Sequence, residues 1–351
     1  MKKVRVLLWG LGMMGSGIAR ALLQRDGIEI SAAIDSNPAL SGRSLAEVLG
    51  EGDAQLPIAS GPEGVVLPGA ADLAIVAVAS FTRDVFPHLK RLAEAGMDVI
   101  TIAEEMAYPA AQNPELATEL DRIARENGVT ILGTGINPGF VLDALIIALT
   151  GVCLDVQEIR ATRINDLSPF GRTVMETQGV GTTPDQFAAG IADGSIVGHV
   201  GFPESMSLVA AALGWELDKI VQTKEPIISN VPRETPHVRI EPGMVAGCRH
   251  VAHGYKDGQI VITMEHPQQV RPEAENVETG DYIWIRGTPD LNLSIKPEIP
   301  GGIGTMAMAV NMIPQVINAS PGLKTMKDLP LPAAWLTDVR AWLQTRSECD
   351  E

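Results

Sequence analysis

Two adjacent carboxylates, Glu104 and Glu105, follow an apolar stretch that is predicted to form a buried strand. A carboxyl group buried at the end of a strand is costly unless it is used, and one of an adjacent pair should have a raised pKa. A carboxylate whose pKa is near neutrality can take a proton from an ammonium group and return one to a hydroxyl group. We therefore expect one of the pair to be the acid–base group, with Glu104 favoured and Glu105 left open by position alone. The alternative is that both glutamates only stabilise the first turn of a helix.

A glycine-rich loop near the N-terminus has the residue types and spacing of a dinucleotide-binding site. It lies between an apolar run at residues 4–8 and a run with helical periodicity, and reads G-x-G-x-x-G. The first glycine permits a tight turn, the second lets the backbone approach a pyrophosphate, and the third lets the helix pack on the strand. The N–H groups at the start of the helix would hold the phosphates. The residues expected at the cofactor are Gly10, Gly12, Met13, Met14 and Gly15. A glycine-rich turn without a ligand is the alternative.

Asp35 closes the second predicted strand, at residues 28–34. An acidic side chain at this position typically accepts hydrogen bonds from the ribose hydroxyls of the adenosine. Its charge would repel the 2′-phosphate of NADP, although the nearby Arg43 could soften the repulsion. We therefore expect NAD or NADP as the cofactor, with NAD favoured and both used. The alternative for Asp35 is a turn or helix-capping role.

Polar residues also follow two later strands. Ser80 follows the apolar run at residues 71–79, at the carboxyl end of a strand, where ligands bind in open α/β sheets, and we expect it, like Asn137 and Pro138, at the cofactor. Asn137 and Pro138 follow another predicted strand and are expected to open a helix. The Asn137 amide could contact the nicotinamide or the substrate, or it could simply belong to a turn.

Arg163 and Asn165 share one face of a strand that is predicted at residues 156–164. An arginine in a strand commonly extends its guanidinium to solvent. The functional alternative is a bidentate clamp on a carboxylate.

A cysteine and two histidines in the pattern C-x-H-x-x-H suggest a metal site, but the predicted hairpin argues against it. A two-residue turn at residues 257–258 would pair Arg249 with His266. In that register His250 and His253 point to opposite faces of the sheet. One strand then cannot direct both rings at one ion, so we expect no metal. The same register would put His253, His266 and Arg249 on one face.

The composition is that of a globular protein with more than one domain. The chain has 351 residues, of which 45% are hydrophobic and 20% charged. The net charge of −16 argues against nucleic acid or an anionic membrane as a partner. The three cysteines, Cys153, Cys248 and Cys349, are odd in number and far apart, which favours a reducing, cytoplasmic location. The longest apolar stretch, residues 144–154, is too short to span a bilayer.

Strand and helix patterns alternate along the first part of the chain, which predicts an α/β protein whose N-terminal domain has a doubly wound parallel sheet. We expect this Rossmann domain at residues 1–139. A mixed, mainly antiparallel α+β domain for substrate binding and dimerisation is expected at residues 140–300. Residues 301–351 are expected to return to the first domain as helices, one at 306–318 and one near 333–345.

Four segments together resemble a known family. These are IAEEMAYP at residues 102–109, GTGINPGF at 133–140, GGIGT at 301–305 and NMIP at 311–314. With the glycine loop, they resemble the 2,4-diaminopentanoate dehydrogenases and their relatives, the native amine dehydrogenases. These proteins have the fold of dihydrodipicolinate reductase, and the resemblance extends over essentially the whole chain. The EExxYP and GTGxNPGF patterns are fairly specific to this group, whereas the glycine loop is not.

The resemblance implies NAD(P)-dependent, reversible oxidative deamination of 2,4-diaminopentanoate to 2-amino-4-oxopentanoate and ammonia. It assigns the catalytic carboxylate to Glu104. It also implies residues that bind the carboxylate end of the substrate: Asn137, Arg163, Asn165, His199, His266 and Thr305. The expected partners are a small amino acid or amine and ammonia, and a homodimer through the exposed face of the mixed sheet is expected.

Three alternatives remain. Relatives that act on simple ketones and amines would not need so polar a set of residues. An imine or ene reductase of the parent fold would turn over its substrate without ammonia. However, the paired histidines and lysine of dihydrodipicolinate reductases are missing from the corresponding residues 161–179. A nucleotide-sensing binding protein would normally carry a basic DNA-binding segment, which the sequence lacks.

Overall fold

The computed structural model describes residues 2–52 and 54–344, and the chain divides into two compact units. The first unit is Met1–Phe140 together with Gly302–Glu351, and the second is Val141–Gly301. No helix within the described residues combines the length and the apolar character needed to cross a membrane.

Strands and helices alternate in the N-terminal part of the first unit. The strands are β1 (Val4–Trp9), β2 (Ile28–Ile34), β3 (Ile58–Ala59), β4 (Leu73–Val76), β5 (Asp98–Thr101) and β6 (Thr130–Gly133). The helices are α1 (Met13–Leu23), α2 (Leu45–Leu49), α3 (Thr82–Glu94) and α4 (Pro114–Glu126), with 3₁₀ turns at Glu104–Ala107 and Pro109–Ala111. Every residue of β4, β5 and β6 is buried, as expected for parallel strands that are covered on both faces.

The second unit begins with α5 (Ala144–Thr150) and contains a large mixed sheet. Its other helices are α6 (Arg172–Thr177), α7 (Pro184–Asp193) and α8 (Phe202–Leu213), with a 3₁₀ turn at Pro272–Glu275. Its strands are β7 (Asp155–Asp166), β8 (Lys219–Ile228), β9 (Arg233–Glu234), β10 (Arg239–Ile240), β11 (Val245–Lys256), β12 (Gln259–Gln269), β13 (Gly280–Thr288) and β14 (Leu291–Ile295). Six of these strands form one sheet in the order β14–β13–β7–β12–β11–β8. Only the β7–β12 pair is parallel, so the sheet is mainly antiparallel.

The remaining elements are α9 (Gly301–Asn311), α10 (Ile313–Ile317), β15 (Gly322–Lys324) and a 3₁₀ turn at Val339–Ala341. Strand β15 pairs in parallel with β6, which completes a seven-stranded sheet in the order β15–β6–β5–β4–β1–β2–β3. This is the strand order of a dinucleotide-binding α/β fold with one further strand at the edge. The predicted fold class, a doubly wound α/β domain with a second mixed domain, is confirmed.

The predicted elements of the C-terminal segment need correction. A single helix was expected at residues 306–318, but α9 ends at Asn311 and α10 begins at Ile313. Pro314 lies in the first turn of α10, where its missing N–H costs nothing, whereas inside one continuous helix it would break a hydrogen bond. Strand β15 was not expected in a segment that was predicted to be helical.

The helix that was expected near residues 333–345 is also wrong. The described part of that range contains only the 3₁₀ turn Val339–Ala341, and Thr345 lies outside the described residues. Pro330 and Pro332 precede the range, and no regular element is assigned from there to Leu336.

The predicted hairpin register is wrong by one residue. The strands pair as expected at the turn, with Tyr255 opposite Ile260. A β-bulge then shifts the register between Gly254 and Tyr255, so that Gly254 pairs with Ile262. Because side chains alternate along a strand, the shift puts His250, not Arg249, opposite His266. A turn motif specifies the pairing next to it but does not encode a bulge further along the strand.

Candidate active site

The glycine loop between β1 and α1 has the close approaches that its sequence predicts. Gly10 has a φ of +100°, and a Cβ on it would lie 2.4 Å from the carbonyl oxygen of Ala77. A Cβ on Gly15 would lie 1.8 Å from the carbonyl oxygen of Gly10, so only glycine allows this packing. Gly12 has no atom within 4 Å of where its Cβ would be, and no side chain caps α1. The open space and the free helix N-terminus fit a pyrophosphate.

Asp35 supports this loop directly from the end of β2. Its Oδ2 accepts a hydrogen bond from the backbone N–H of Leu11 at 2.6 Å, and its Oδ1 accepts one from the N–H of Asn37 at 2.8 Å. Each carboxylate oxygen has two lone pairs, so acceptor capacity remains for a ribose. The side chain therefore has a structural role in the loop in addition to the predicted contact with the cofactor.

Glu105 has a structural role that separates it from its neighbour. Its Oε2 accepts hydrogen bonds from the backbone N–H of Thr82 at 2.8 Å and from Asn113 Nδ2 at 3.1 Å. Thr82 is the first residue of α3, and the preceding Phe81 provides no side-chain cap. Glu105 therefore stabilises the N-terminus of α3 from outside the helix.

Glu104 occupies a different environment, although it lies in the same 3₁₀ turn. Burial raises the pKa of its carboxyl group, a hydrogen bond from the Ser80 hydroxyl opposes this shift, and the adjacent charge of Glu105 adds to it. Ser80 and Glu104 follow the neighbouring strands β4 and β5, which is why the parallel sheet brings them together at its carboxyl end. A partly desolvated carboxylate with a raised pKa is suited to proton transfer near neutral pH.

Asn137 and Pro138 lie in a turn after β6 and, contrary to expectation, do not open a helix. Turn residues continue to Asp143, whose side chain caps α5 at its first residue, Ala144. Near Asn137, the backbone N–H of Ile136 donates a hydrogen bond to Thr305 Oγ1 of α9 at 3.3 Å. Two of the six predicted substrate-binding residues, Asn137 and Thr305, are thus close together within the first unit.

The other four predicted substrate-binding residues lie in the second unit. Arg163 is 1% exposed and does not extend to solvent. Its Nη1 donates to Asp281 Oδ1 at 2.5 Å, and its Nη2 donates to the carbonyl oxygen of Ile299 at 2.6 Å. Asp281 Oδ2 accepts a hydrogen bond from the N–H of Ile299 at 2.9 Å, so Arg163, Asp281 and the backbone of Ile299 form a closed hydrogen-bonded ring. The charge of Arg163 is therefore balanced within the protein, while its Nε and two further Nη hydrogens remain as possible donors.

His266 is held by Asn165. The two side chains are buried, and His266 Nε2 lies 3.0 Å from Asn165 Oδ1. Because an amide oxygen only accepts, this contact assigns the proton of the ring to Nε2. The His199 ring lies edge-on to the His266 ring, with centroids 4.8 Å apart, so three of the predicted residues form one cluster.

A third histidine, His250, belongs to the same cluster and was missed from sequence. It lies opposite His266 on the neighbouring strand, and its Nδ1 accepts a hydrogen bond from the backbone N–H of His199 at 3.1 Å. The alternation of residues along the strand could have indicated the face on which His250 lies, but the predicted register put His250 on the face opposite to that of His266. Asp281 was also missed as the partner of Arg163, although a carboxylate within a predicted strand is a sign of a buried ion pair.

The three histidines are neutral at physiological pH. Burial lowers the pKa of His199 and His266 well below the usual value, and the neighbouring rings and Arg163 add to the effect. Burial and the charge of Lys224 lower the pKa of His250 to about 3. No group of three or more His, Cys, Asp or Glu side chains within residues 2–52 and 54–344 is arranged to hold a metal ion.

Comparisons with known proteins identify the family of the chain. The sequence model of the 2,4-diaminopentanoate dehydrogenase C-terminal domain matches residues 140–345. The 2,4-diaminopentanoate dehydrogenase of Acetoanaerobium sticklandii is 49% identical over 343 residues, which is 97% of this chain and 97% of that protein. An amine dehydrogenase of Streptomyces virginiae is 25% identical over 94% of this chain and 97% of its own length.

A solved structure shows the same fold over nearly the whole chain. The amine dehydrogenase from Mycobacterium smegmatis superposes with a TM-score of 0.84 at 27% identity, covering 94% of this chain and 97% of that one. The family resemblance that was based on the EExxYP and GTGxNPGF segments is thereby confirmed. The chain belongs to the 2,4-diaminopentanoate dehydrogenase family.

Proposed function

We propose that the protein catalyses the reversible, NAD(P)-dependent oxidative deamination of 2,4-diaminopentanoate to 2-amino-4-oxopentanoate and ammonia. The observation that carries the proposal is the 49% identity, over 97% of the chain, to a protein of that name. The desolvated Glu104 supports it, because removal of an amino group needs a group that moves protons at the reacting carbon.

Glu104 acts on the nitrogen at C4 of the substrate and then on water. It first takes a proton from the C4 ammonium, because a protonated amine cannot release hydride from its carbon. When bound, the nicotinamide ring supplies the hydride acceptor. Glu104 passes the ammonium proton to solvent and then takes a proton from the water that adds to the resulting iminium carbon. It returns that proton to nitrogen and accepts the hydroxyl proton as the C–N bond breaks, so that ammonia leaves and the C4 ketone forms. Ser80 orients the Glu104 carboxylate through its hydroxyl group throughout.

The loop from Gly10 to Gly15 would hold the pyrophosphate, with the backbone around Met13 and Met14 supplying N–H groups. Asp35 would accept hydrogen bonds from the adenosine ribose, and its negative charge favours NAD while leaving use of NADP open. Pro138 and Asn137, in the turn after β6, complete the set that we assign to the cofactor.

The residues that we assign to the amino-acid end of the substrate fall into two sets. One set is Asn137 and Thr305, and the other is the cluster of Arg163, Asn165, His199 and His266. Arg163 would use the donors that Asp281 and Ile299 leave available. Neutral imidazoles can accept hydrogen bonds from an ammonium group as well as donate to a carboxylate.

A spectrophotometric assay tests the proposal. The purified protein is mixed with NAD or NADP and one of three amines: 2,4-diaminopentanoate, 4-aminopentanoate or butan-2-amine. We expect the highest catalytic efficiency with 2,4-diaminopentanoate, and ammonia in equal amount to reduced dinucleotide. A higher efficiency with butan-2-amine would instead support an amine dehydrogenase for simple amines.

We also infer a homodimer through the face of the mixed sheet opposite the histidines. Three large apolar side chains, Val221, Ile260 and Trp284, are exposed there, on β8, β12 and β13. Sedimentation equilibrium should give twice the monomer mass, and Trp284→Lys should lower it. The free thiols of Cys153 and Cys248 are compatible with the cytoplasmic location that we propose.

A further inference from the structure

A row of polar side chains crosses one face of the mixed sheet, which we call the inner face because His250 and His266 are buried there. Asp281 on β13 pairs with Arg163 on β7, and His266 on β12 pairs with His250 on β11. All four side chains are buried. Arg163 and Asp281 form an ion pair, and His266 is a proposed substrate-binding residue. His250 has no assigned role, although a buried polar ring is costly to desolvate without a role.

The bulge in the hairpin is what brings His250 into this row. Without the register shift at Gly254, His250 would lie opposite Glu265, and Arg249 would lie opposite His266. Bulges often occur beside active sites, where they redirect a side chain. The backbone irregularity and the buried ring are therefore parts of the same arrangement.

His250 fixes the segment that carries His199. Its Nδ1 accepts the backbone N–H of His199 at 3.1 Å, and this nitrogen would lie 3.2 Å from a Cβ on Gly198, whose φ is +69°. Gln178 Nε2 donates to the carbonyl oxygen of Gly198 at 2.8 Å. The segment is thus tethered by two buried side chains. It lies in a loop without helix or strand, where the backbone N–H groups of Val197 and Gly198 also donate to the carbonyl oxygen of Thr177.

The rings also enclose the side chain of His199. Phe202 lies edge-on to both His199 and His250, with centroids 4.8 and 4.9 Å away. His266 contacts His199 on another side at 4.8 Å. His199 Nε2 is buried and has no hydrogen-bond partner within the described residues. This nitrogen is therefore available for a hydrogen bond with a ligand.

We infer that His250 is a positioning residue for recognition of the substrate's amino-acid end, because it holds the backbone of His199 so that His199 Nε2 meets that end. The inference rests on the proposed function for the identity of the substrate. Since His250 acts through an acceptor nitrogen, it must keep Nδ1 unprotonated and carry its proton on Nε2. The ring does not touch the reacting C4, so its effect should fall on binding and not on the chemical step.

Steady-state kinetics of His250 variants test the inference. His250→Leu removes the acceptor, and one hydrogen bond is worth roughly a 3- to 10-fold change in affinity. We expect the KM for 2,4-diaminopentanoate to rise by about that factor, while kcat and the KM for butan-2-amine stay within about twofold. His250→Asn places an amide oxygen close to the position of Nδ1 and should restore most of the loss.

His253 provides a matched control. It lies on the same strand, and its Nδ1 is 3.1 Å from Thr263 Oγ1, on the outer face. His253→Leu should leave both KM values unchanged. An equal rise of KM for both amines in His250→Leu, no rise at all, or failure of His250→Asn to restore binding would overturn the inference.

A spectroscopic measurement of the ring protonation of His250 in the unaltered protein does not depend on the substrate. The chain has 6 histidines, so ¹⁵N-labelled histidine gives an assignable set of ring signals, with His250→Asn identifying one. His250 should show a proton on Nε2 and a bare Nδ1 at neutral pH. A proton on Nδ1 would contradict the inference even if the enzyme deaminates 2,4-diaminopentanoate. If that deamination does not occur while the tautomer is as expected, the proposed function fails and the hydrogen bond to His199 stands.

Discussion

The guanidinium of Arg163 lies 2.5 Å from the carboxylate of Asp281, and each residue is 1% exposed. The two residues are 118 positions apart in sequence and adjacent on β7 and β13. The arginine that we propose to bind the substrate carboxylate is thus itself held by a protein carboxylate. The pair fixes the orientation of the guanidinium, so we expect Arg163 to contribute to folding as well as to the proposed binding.

Replacement of Arg163 alone should therefore damage stability. Arg163→Leu leaves the Asp281 carboxylate buried without a counter-charge, and we expect the free energy of unfolding to fall by about 3–5 kcal/mol. The double variant Arg163→Leu/Asp281→Leu removes both charges and should recover much of that loss. Urea unfolding of the single and double variants measures both effects.

The stable double variant then isolates the role of Arg163 in binding. Its catalytic efficiency for 2,4-diaminopentanoate should stay well below that of the unaltered enzyme, and butan-2-amine, which has no carboxylate, should be much less affected. Equal efficiencies for the double variant and the unaltered enzyme would show that Arg163 is structural only.

Glu104 and Glu105 should respond differently to the same substitution. Glu104→Gln keeps the shape of the side chain but cannot accept a proton, so turnover should fall by roughly 10²–10⁴-fold with dinucleotide affinity unchanged. Glu105→Gln retains an acceptor oxygen for the N–H of Thr82 and should keep most activity, with a small loss of thermal stability. An inactive Glu105 variant beside a fully active Glu104 variant would reverse the assignment.

The pH dependence of kcat should report the environment of Glu104. Its pKa is raised above the ordinary 4.5, and deamination needs the deprotonated form. Turnover should therefore fall as the pH drops through the pKa of Glu104, which lies above 4.5. The Ser80 hydroxyl lowers this pKa and the charge of Glu105 raises it. Ser80→Ala should accordingly move the acid limb to higher pH, and Glu105→Gln should move it to lower pH. Shifts in the opposite directions would mean that another group controls the limb.

Asp35 should govern the choice between NAD and NADP. Asp35→Ala removes the repulsion at the 2′-position but also the two backbone hydrogen bonds to Leu11 and Asn37, so affinity for NAD should fall. Asp35→Asn removes the charge and keeps one acceptor oxygen, and is the better probe of preference. The ratio of efficiencies with NAD and NADP should shift towards NADP in both variants. An unchanged ratio in both would place the ribose elsewhere.

The parts of the fold that depend on local patterns could be predicted from sequence. The glycines of the first loop, the apolar runs of β4 and β5 and the position of Glu104 at a strand end follow from residue type and periodicity. Long-range partners could not be predicted in this way. The sequence does not indicate that Asp281 pairs with Arg163 or that Asn113 contacts Glu105, because the members of the first pair are 118 positions apart and a local pattern specifies neither contact.

The histidine cluster shows a second reason why the sequence did not predict the whole candidate site. Its register depends on a bulge at Gly254, and a shift of one residue exchanges the two faces of a strand. His199 lies in an irregular loop before α8 and was found only through the family resemblance. Local rules thus predicted the position of Glu104 at a strand end better than the arrangement of the histidine cluster.

Isotope incorporation tests the central claim most directly. The protein is incubated with 2-amino-4-oxopentanoate, ¹⁵N-ammonium and NADH or NADPH, and the product is analysed by mass spectrometry. The account predicts 2,4-diaminopentanoate with one ¹⁵N atom at C4, none at C2, and one dinucleotide oxidised per molecule formed. Oxidation of the dinucleotide without ¹⁵N in the product, or no reaction where a cyclic imine is readily reduced, would contradict it.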